Sequence, residues 1–186
     1  TSSYINCISD VINVYTITGD TAQAQKYIAL AKDNIDGCSA KMRAHFYSCY
    51  LTYLANYGQD KNDIQAAIDD YINISSTSGT DWLSVANAHV KIGDTSAAMD
   101  ALSHHGKILN TSQRLKFHAL LSQIYKLEGR HKEAMDTYEY YVALADSLEY
   151  ARVESDVQFV EEKHSLELQN LREKAKNNIT ILIAVM

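Results

Sequence analysis

The chain has 186 residues, 46% of them hydrophobic, which excludes a disordered chain and gives length enough for one core or about four or five helix pairs. Its net charge of −6, with no basic stripe over the first 165 residues, excludes a nucleic-acid surface, which needs clustered lysine and arginine in excess. There is no proline, and the seven glycines, at positions 19, 37, 58, 79, 93, 106 and 129, fall almost evenly between stretches of helical pattern. Glycine enters the left-handed conformation that ends a helix without a Cβ penalty, so the series predicts a string of short helices.

In chain order, the first predicted helix runs up to Gly19 with Ile8, Val11, Ile12 and Tyr15 on one face, and the second follows with Ala24 and Ile28 and stops near Gly37. The third carries Tyr47, Tyr50, Leu51 and Leu54 ahead of Gly58. A polar stretch, residues 59–63, then delays the fourth, whose Ala67 and Tyr71 come four residues late before Gly79. The fifth has Trp82, Val85, Ala86 and His89 before Gly93, and the sixth Ala98 and Leu102 before residues 106–110. The seventh has His118, Leu121, Ser122 and Tyr125 before Gly129, and the eighth opens with Ala134 and Tyr138. Offsets of 11, 8, 7 and 4 residues before Gly19, Gly58, Gly93 and Gly129 make one helical face, so the first helix of each unit buries an apolar stripe. The small residue after each turn lets two antiparallel helices approach closely. Four units of about 35 to 39 residues predict an all-α solenoid over residues 1–145.

Trp82, Val85, Ala86, Gly93, Asp94, Ala98 and Leu102, with Leu121, Ser122, Tyr125, Gly129, Arg130, Ala134 and Tyr138, resemble the tetratricopeptide repeat. The resemblance covers residues 3–145, strong in units three and four, good in unit one and weak in unit two. The proline that usually closes the motif is missing; Gly37, Gly79 and residues 106–110 supply the helix stop instead.

The resemblance implies that the first helices of the units line a groove receiving a peptide or a partner helix. The positions two, three, six, ten and thirteen before each turn glycine would face it: Asn6, Ser9, Asn13, Thr16 and Ile17 in unit one, and His45, Ser48, Thr52, Ala55 and Asn56 in unit two. Thr80, Leu83, Asn87, Val90 and Lys91 follow in unit three, and Lys116, Ala119, Gln123, Lys126 and Leu127 in unit four. One offset gives the ladder Asn13, Thr52, Asn87 and Gln123, and side-chain amides in a row suit an extended peptide because each can donate and accept. Lys91, Lys116 and Lys126 gather in the last two units, which suits an acidic ligand segment. The clamp that some family members use on a terminal carboxylate is not reproduced, since Ser9 stands where its first lysine would be.

Beyond Tyr138 no glycine or proline follows, which predicts a long connecting helix over residues 146–178. Tyr150, Val153, Val157, Val160, His164, Leu168, Leu171 and Ala175 recur mostly at three- and four-residue steps, the seam of a coiled coil or of a helix lying along a partner, and predict a homodimer through residues 150–175. The alternative is that residues 142–160 cap the last repeat and only the remainder projects. Residues 179–186 are uncharged and apolar and predict the start of a membrane span, attached after residue 178. Repeats, a charged helix and an apolar run in this order resemble bacterial membrane-anchored regulators with an extracytoplasmic repeat region, implying a periplasmic sensory or scaffold role in signal transduction or transcriptional control. The basic flank Arg172, Lys174 and Lys176 points to the cytoplasmic side. The alternative is a soluble scaffold whose last helix mediates assembly.

Neither a phosphate loop nor a zinc-protease or serine-hydrolase signature is present, so no catalytic site, metal or cofactor is predicted and the chain reads as non-enzymatic. His104 and His105 suit the negative end of their helix. The tyrosines at packing offsets, Tyr138 included, read as core. Cys7, Cys38 and Cys49 match no metal pair and read as small buried apolar residues, with a Cys38–Cys49 bridge left open.

Overall fold

The computed structural model describes residues 2–75, 79–104 and 110–185, with side chains except at residues 2, 3, 168 and 171–185. Gly106 and His105 lie outside the described residues, as do the side chains of Leu168, Leu171 and Ala175 and of the apolar run 179–186. Among the described residues all regular structure is helical: α1 (Ser2–Thr18), α2 (Thr21–Lys32), α3 (Ala40–Tyr57), α4 (Lys61–Ser75), α5 (Trp82–Ile92), α6 (Thr95–Ser103), α7 (Thr111–Leu127) and α8 (His131–Val185). The chain divides into two compact units, Thr1–Tyr141 and Val142–Met186.

In the first unit the odd-numbered helices form a row, α1 against α3, α3 against α5 and α5 against α7, and each of α2, α4 and α6 packs on the odd helices beside it. The stripe is the cause. In units one to three Ile8, Ile12, Leu51, Leu54, Val85, Ala86 and His89 are buried at the offsets expected from the turn glycines. In unit four His118, Leu121, Ser122 and Tyr125 are only half-buried, and Leu120 and Ile124 are the buried residues of α7. The close-approach positions are also filled as expected: Ala24 and Ala98 are fully buried and Ala67, four residues late, is 3% exposed, while the larger Tyr71 one turn on is 2% exposed. At 25 cal/mol per Å2 of apolar surface, burying one such leucine or isoleucine contributes about 1.5–3 kcal/mol.

Caps set where the helices begin. Asp20, Asp81 and Asp94 accept from the backbone N–H of Gln23 (3.1 Å), Ser84 (3.4 Å) and Ala97 (2.9 Å). Asn110 and Gln113 exchange bonds of 2.9 and 3.0 Å in a capping box at the head of α7. Gly19, Gly93 and Gly129 hold φ of 79°, 86° and 74°, the left-handed geometry that ends a helix. Gly58 does not: it is extended at φ −62° and ψ 136°. It is required for a different reason, since a Cβ there would meet the Leu54 carbonyl oxygen at 2.6 Å.

Three expectations for single side chains are corrected. Ser9 and Thr16 do not face a groove; they are buried at 0% and 3%, with hydroxyls donating to Ile5 and Ile12 carbonyls at 2.8 Å. Tyr138 is 55% exposed, whereas its counterparts Ile28 and Leu102 are buried between helices. Cys7 is exposed and Cys38 half-buried; only Cys49 is buried, and all three are free thiols, so no Cys38–Cys49 bridge forms. Burial pushes the Cys49 thiol up to about 12.

The described part of the second unit is a single helix segment. Tyr150, Val153, Val157 and Val160 are 75%, 52%, 51% and 64% exposed, and Phe159 and Leu166 are exposed as well. Among the described residues no helix is long and apolar enough to cross a membrane.

Candidate functional site

The odd-numbered helices line a series of adjoining clefts in the first unit. The central cleft, about 360 Å3, takes Thr52 from α3, Leu83, Ser84 and Asn87 from α5, and Lys116 and Gln123 from α7. A second, about 550 Å3, is lined by Ala55, Asn87, Val90, Lys91, Gln123 and Lys126, so Asn87 and Gln123 belong to both. A third, about 660 Å3, is lined by Asn6, Asp10, Lys41, His45, Ser48 and Thr80 among others, and joins the central one through Asp81 and Gln113.

Six of the seven residues singled out by sequence therefore meet. Thr52, Asn87, Lys116 and Gln123 line the central cleft, and Lys91 and Lys126 the adjoining one. Asn13, half-buried on α1, lines none of the three. Thr52 differs from the amides in one respect. Its hydroxyl donates to the Ser48 carbonyl at 3.0 Å, as threonine inside a helix commonly does, so it offers a ligand only an acceptor. Among the described residues no partner holds the side-chain amides of Asn87 and Gln123. Their donors and acceptors are open to whatever occupies the cleft.

Charge is uneven along the clefts. Lys91, Lys116 and Lys126 are exposed around the two that share Asn87 and Gln123. The third holds Asp10, which meets His45 Nε2 at 3.0 Å, and Asp81, whose carboxylate accepts from Ser48 Oγ at 3.2 Å and Ser84 Oγ at 2.6 Å. Asp81 thus begins α5, ties it to α3 and stands between two clefts. The Asp81 backbone N–H also donates to Tyr71 Oη at 2.8 Å, joining α4 to the same point. Sequence reasoning passed over Asp81 and Gln113. An acidic residue just ahead of an apolar run, and an Asn-x-x-Gln spacing, were the signals that could have found them as helix starts.

The histidines do not converge. His104 caps α6, its Nδ1 2.9 Å from the Asp100 carbonyl oxygen and its ring stacked on Trp82 at 4.7 Å, while His118 meets Tyr140 at 4.4 Å. Burial holds His89 and His118 below the ordinary imidazole value, aided at His118 by Arg114. Among the described residues no group of three or more His, Cys, Asp or Glu side chains could hold a metal ion. Comparison with family models, with curated proteins and with solved structures finds no match.

Proposed function

We propose that residues 1–145 are a non-catalytic binding module of tetratricopeptide-like repeats that receives an extended peptide or protein segment along its odd-numbered helices. The observation that carries this reading is the position of Asn87 and Gln123. Both belong to two adjoining clefts, both have side-chain amides open to a ligand, and three lysines surround them. An amide pair of this kind reads a peptide backbone, because each can donate to a carbonyl and accept from an N–H. The lysines favour an acidic segment beside them. The return of the buried stripe in units one to three and the left-handed glycines at three of the four turns support the repeat reading.

A random-peptide display library selected on this chain tests the proposal. The expected outcome is enrichment of acidic peptides whose binding falls about tenfold or more in the Asn87→Ala, Gln123→Ala double variant, with an unchanged melting temperature. Enriched peptides that bind the double variant as well as the parent chain sink the groove proposal.

Two settings are open to such a module. Attachment to a membrane after residue 178, as the extracytoplasmic part of a signalling or transcriptional regulator, draws its support from the apolar residues 179–186. Assembly through the last helix draws its support from the exposed stripe Tyr150, Val153, Val157 and Val160, which a helix in water does not leave uncovered without cost.

A further inference from the structure

The exposed stripe of the second unit has an unusual symmetry. The α8 backbone continues to Val185, and its sequence register carries the stripe from Tyr150, Val153, Val157 and Val160 to His164, then to Leu168, Leu171, Ala175 and Asn178. The steps are three, four, three, four into His164 and four, three, four, three out of it. A strict heptad would alternate throughout; the doubled step of four is a local change of register, and it makes the two halves mirror images. Reversed end for end about His164, the stripe falls on itself. Val153 then shares a layer with Ala175 of a second copy, Val157 with Leu171, Val160 with Leu168, and Tyr150 with Asn178.

The core layers allow a pair of identical helices in either direction, so the flanking charges choose. In a parallel pair each residue just before the first seam position faces the one just after the second seam position, five residues on, in the other chain. That places Glu149 against Glu154 and Asp156 against Glu161, repulsive on both edges, and leaves Glu167 against Arg172 as the favourable pair beyond the change of register. In the antiparallel pair like positions face each other. Glu154 then meets Arg172 of the second copy, Asp156 meets Lys174, and Lys163 meets Glu167, all of opposite sign and all occurring twice by symmetry. The whole segment is polarised the same way: residues 149–162 hold five acids and one arginine, and residues 163–178 four bases and two acids.

We propose that residues 149–178 pair with those of a second copy of this chain as an antiparallel coiled coil whose two-fold axis passes at His164. This rests on the assembly reading alone, so failure of the groove test leaves it standing. It also has a consequence for location. Two helices running in opposite directions cannot both enter one bilayer from the same side after residue 178, so antiparallel pairing favours assembly over membrane attachment.

The test uses the 186-residue chain with Cys7→Ser and Cys38→Ser, keeping buried Cys49. Sedimentation over a concentration series is expected to show a reversible dimer. His164→Cys is expected to cross-link with itself on oxidation. Val153→Cys is not, but it cross-links when mixed with Ala175→Cys. Glu154→Lys with Asp156→Lys is expected to weaken the dimer about tenfold, Arg172→Glu with Lys174→Glu to do the same, and all four together to restore it. A chain that stays monomeric overturns the proposal. So do Val153→Cys cross-linking with itself as readily as His164→Cys, failure of the mixed cross-link, or a dimer strengthened by Glu154→Lys with Asp156→Lys, which is what parallel pairing requires.

Discussion

At the scale of single residues, glycines that look equivalent in the sequence do different work. Gly19, Gly93 and Gly129 are held at positive φ, where any other residue is strained. Gly58 has an ordinary backbone and is kept small by the Leu54 carbonyl, 2.6 Å from where a Cβ would sit. Gly37 meets nothing within 4 Å and has no left-handed φ. We therefore expect Gly58→Ala to lower stability by about 1–3 kcal/mol in urea unfolding. Gly37→Ala should be neutral or raise stability by up to about 1 kcal/mol, because it only narrows the unfolded ensemble. Equal losses at the two positions would show that the close approach at Gly58 is relieved by a backbone shift.

At the scale of elements, α5 links the early and late helices of the first unit. It packs on α3, α4, α6 and α7, its start is fixed by Asp81, and Lys61 of α4 donates to the Ile92 carbonyl at its end at 2.7 Å. It also carries a weakness. His89 occupies a stripe position filled by Leu54 in unit two, is 8% exposed, and its buried Nδ1 has no hydrogen-bond partner among the described residues. Desolvation lowers its folded pKa below the unfolded value of 6.5, against a smaller opposing pull from Asp94 and Asp69. The unfolded chain takes up the proton first as pH falls. The stability linked to neutral His89 is complete above about pH 6.5 and is lost as pH falls through that value toward the lower folded one. The urea midpoint should therefore drop between about pH 7.5 and about pH 5.5, and His89→Leu should make the drop smaller. An identical pH dependence in His89→Leu would assign the acid sensitivity to other groups.

At the scale of the whole molecule, the division after Tyr141 separates a packed assembly of helices from a helix segment with an exposed apolar stripe. Their sources of stability differ accordingly. A fragment of residues 1–145 should unfold cooperatively with a melting temperature within about 5 °C of the full chain, since the buried stripe lies entirely within it. A fragment of residues 142–186 should be helical only as it associates, with a circular dichroism signal that rises with concentration. A 1–145 fragment that melts without cooperativity would mean that the last helix supports the repeats.

The glycine spacing and the apolar offsets were enough to place helix pairs and most of their buried residues, because a packed helix must repeat its apolar positions at 3.6 residues and must stop where the chain turns. Those rules are local, so Ile12, Leu51, Val85 and even the late Ala67 and Tyr71 were legible. Six of the seven candidate groove residues line two adjoining clefts. The offsets failed in unit one at Ser9 and Thr16, which look like solvated positions but are buried and bond their own helix. Asn13 shares the ladder offset without lining any of the three clefts. A face is only polar or apolar in sequence; which face meets a neighbour depends on how adjacent helices cross, and that is a property of the packed molecule. The sequence determined that helices form, where they turn and which stripe they bury. Tertiary structure decided that Asn87 and Gln123 would stand between two clefts with open amides, and that Asp81 would tie three helices to one point, because both depend on contacts between segments far apart in the chain.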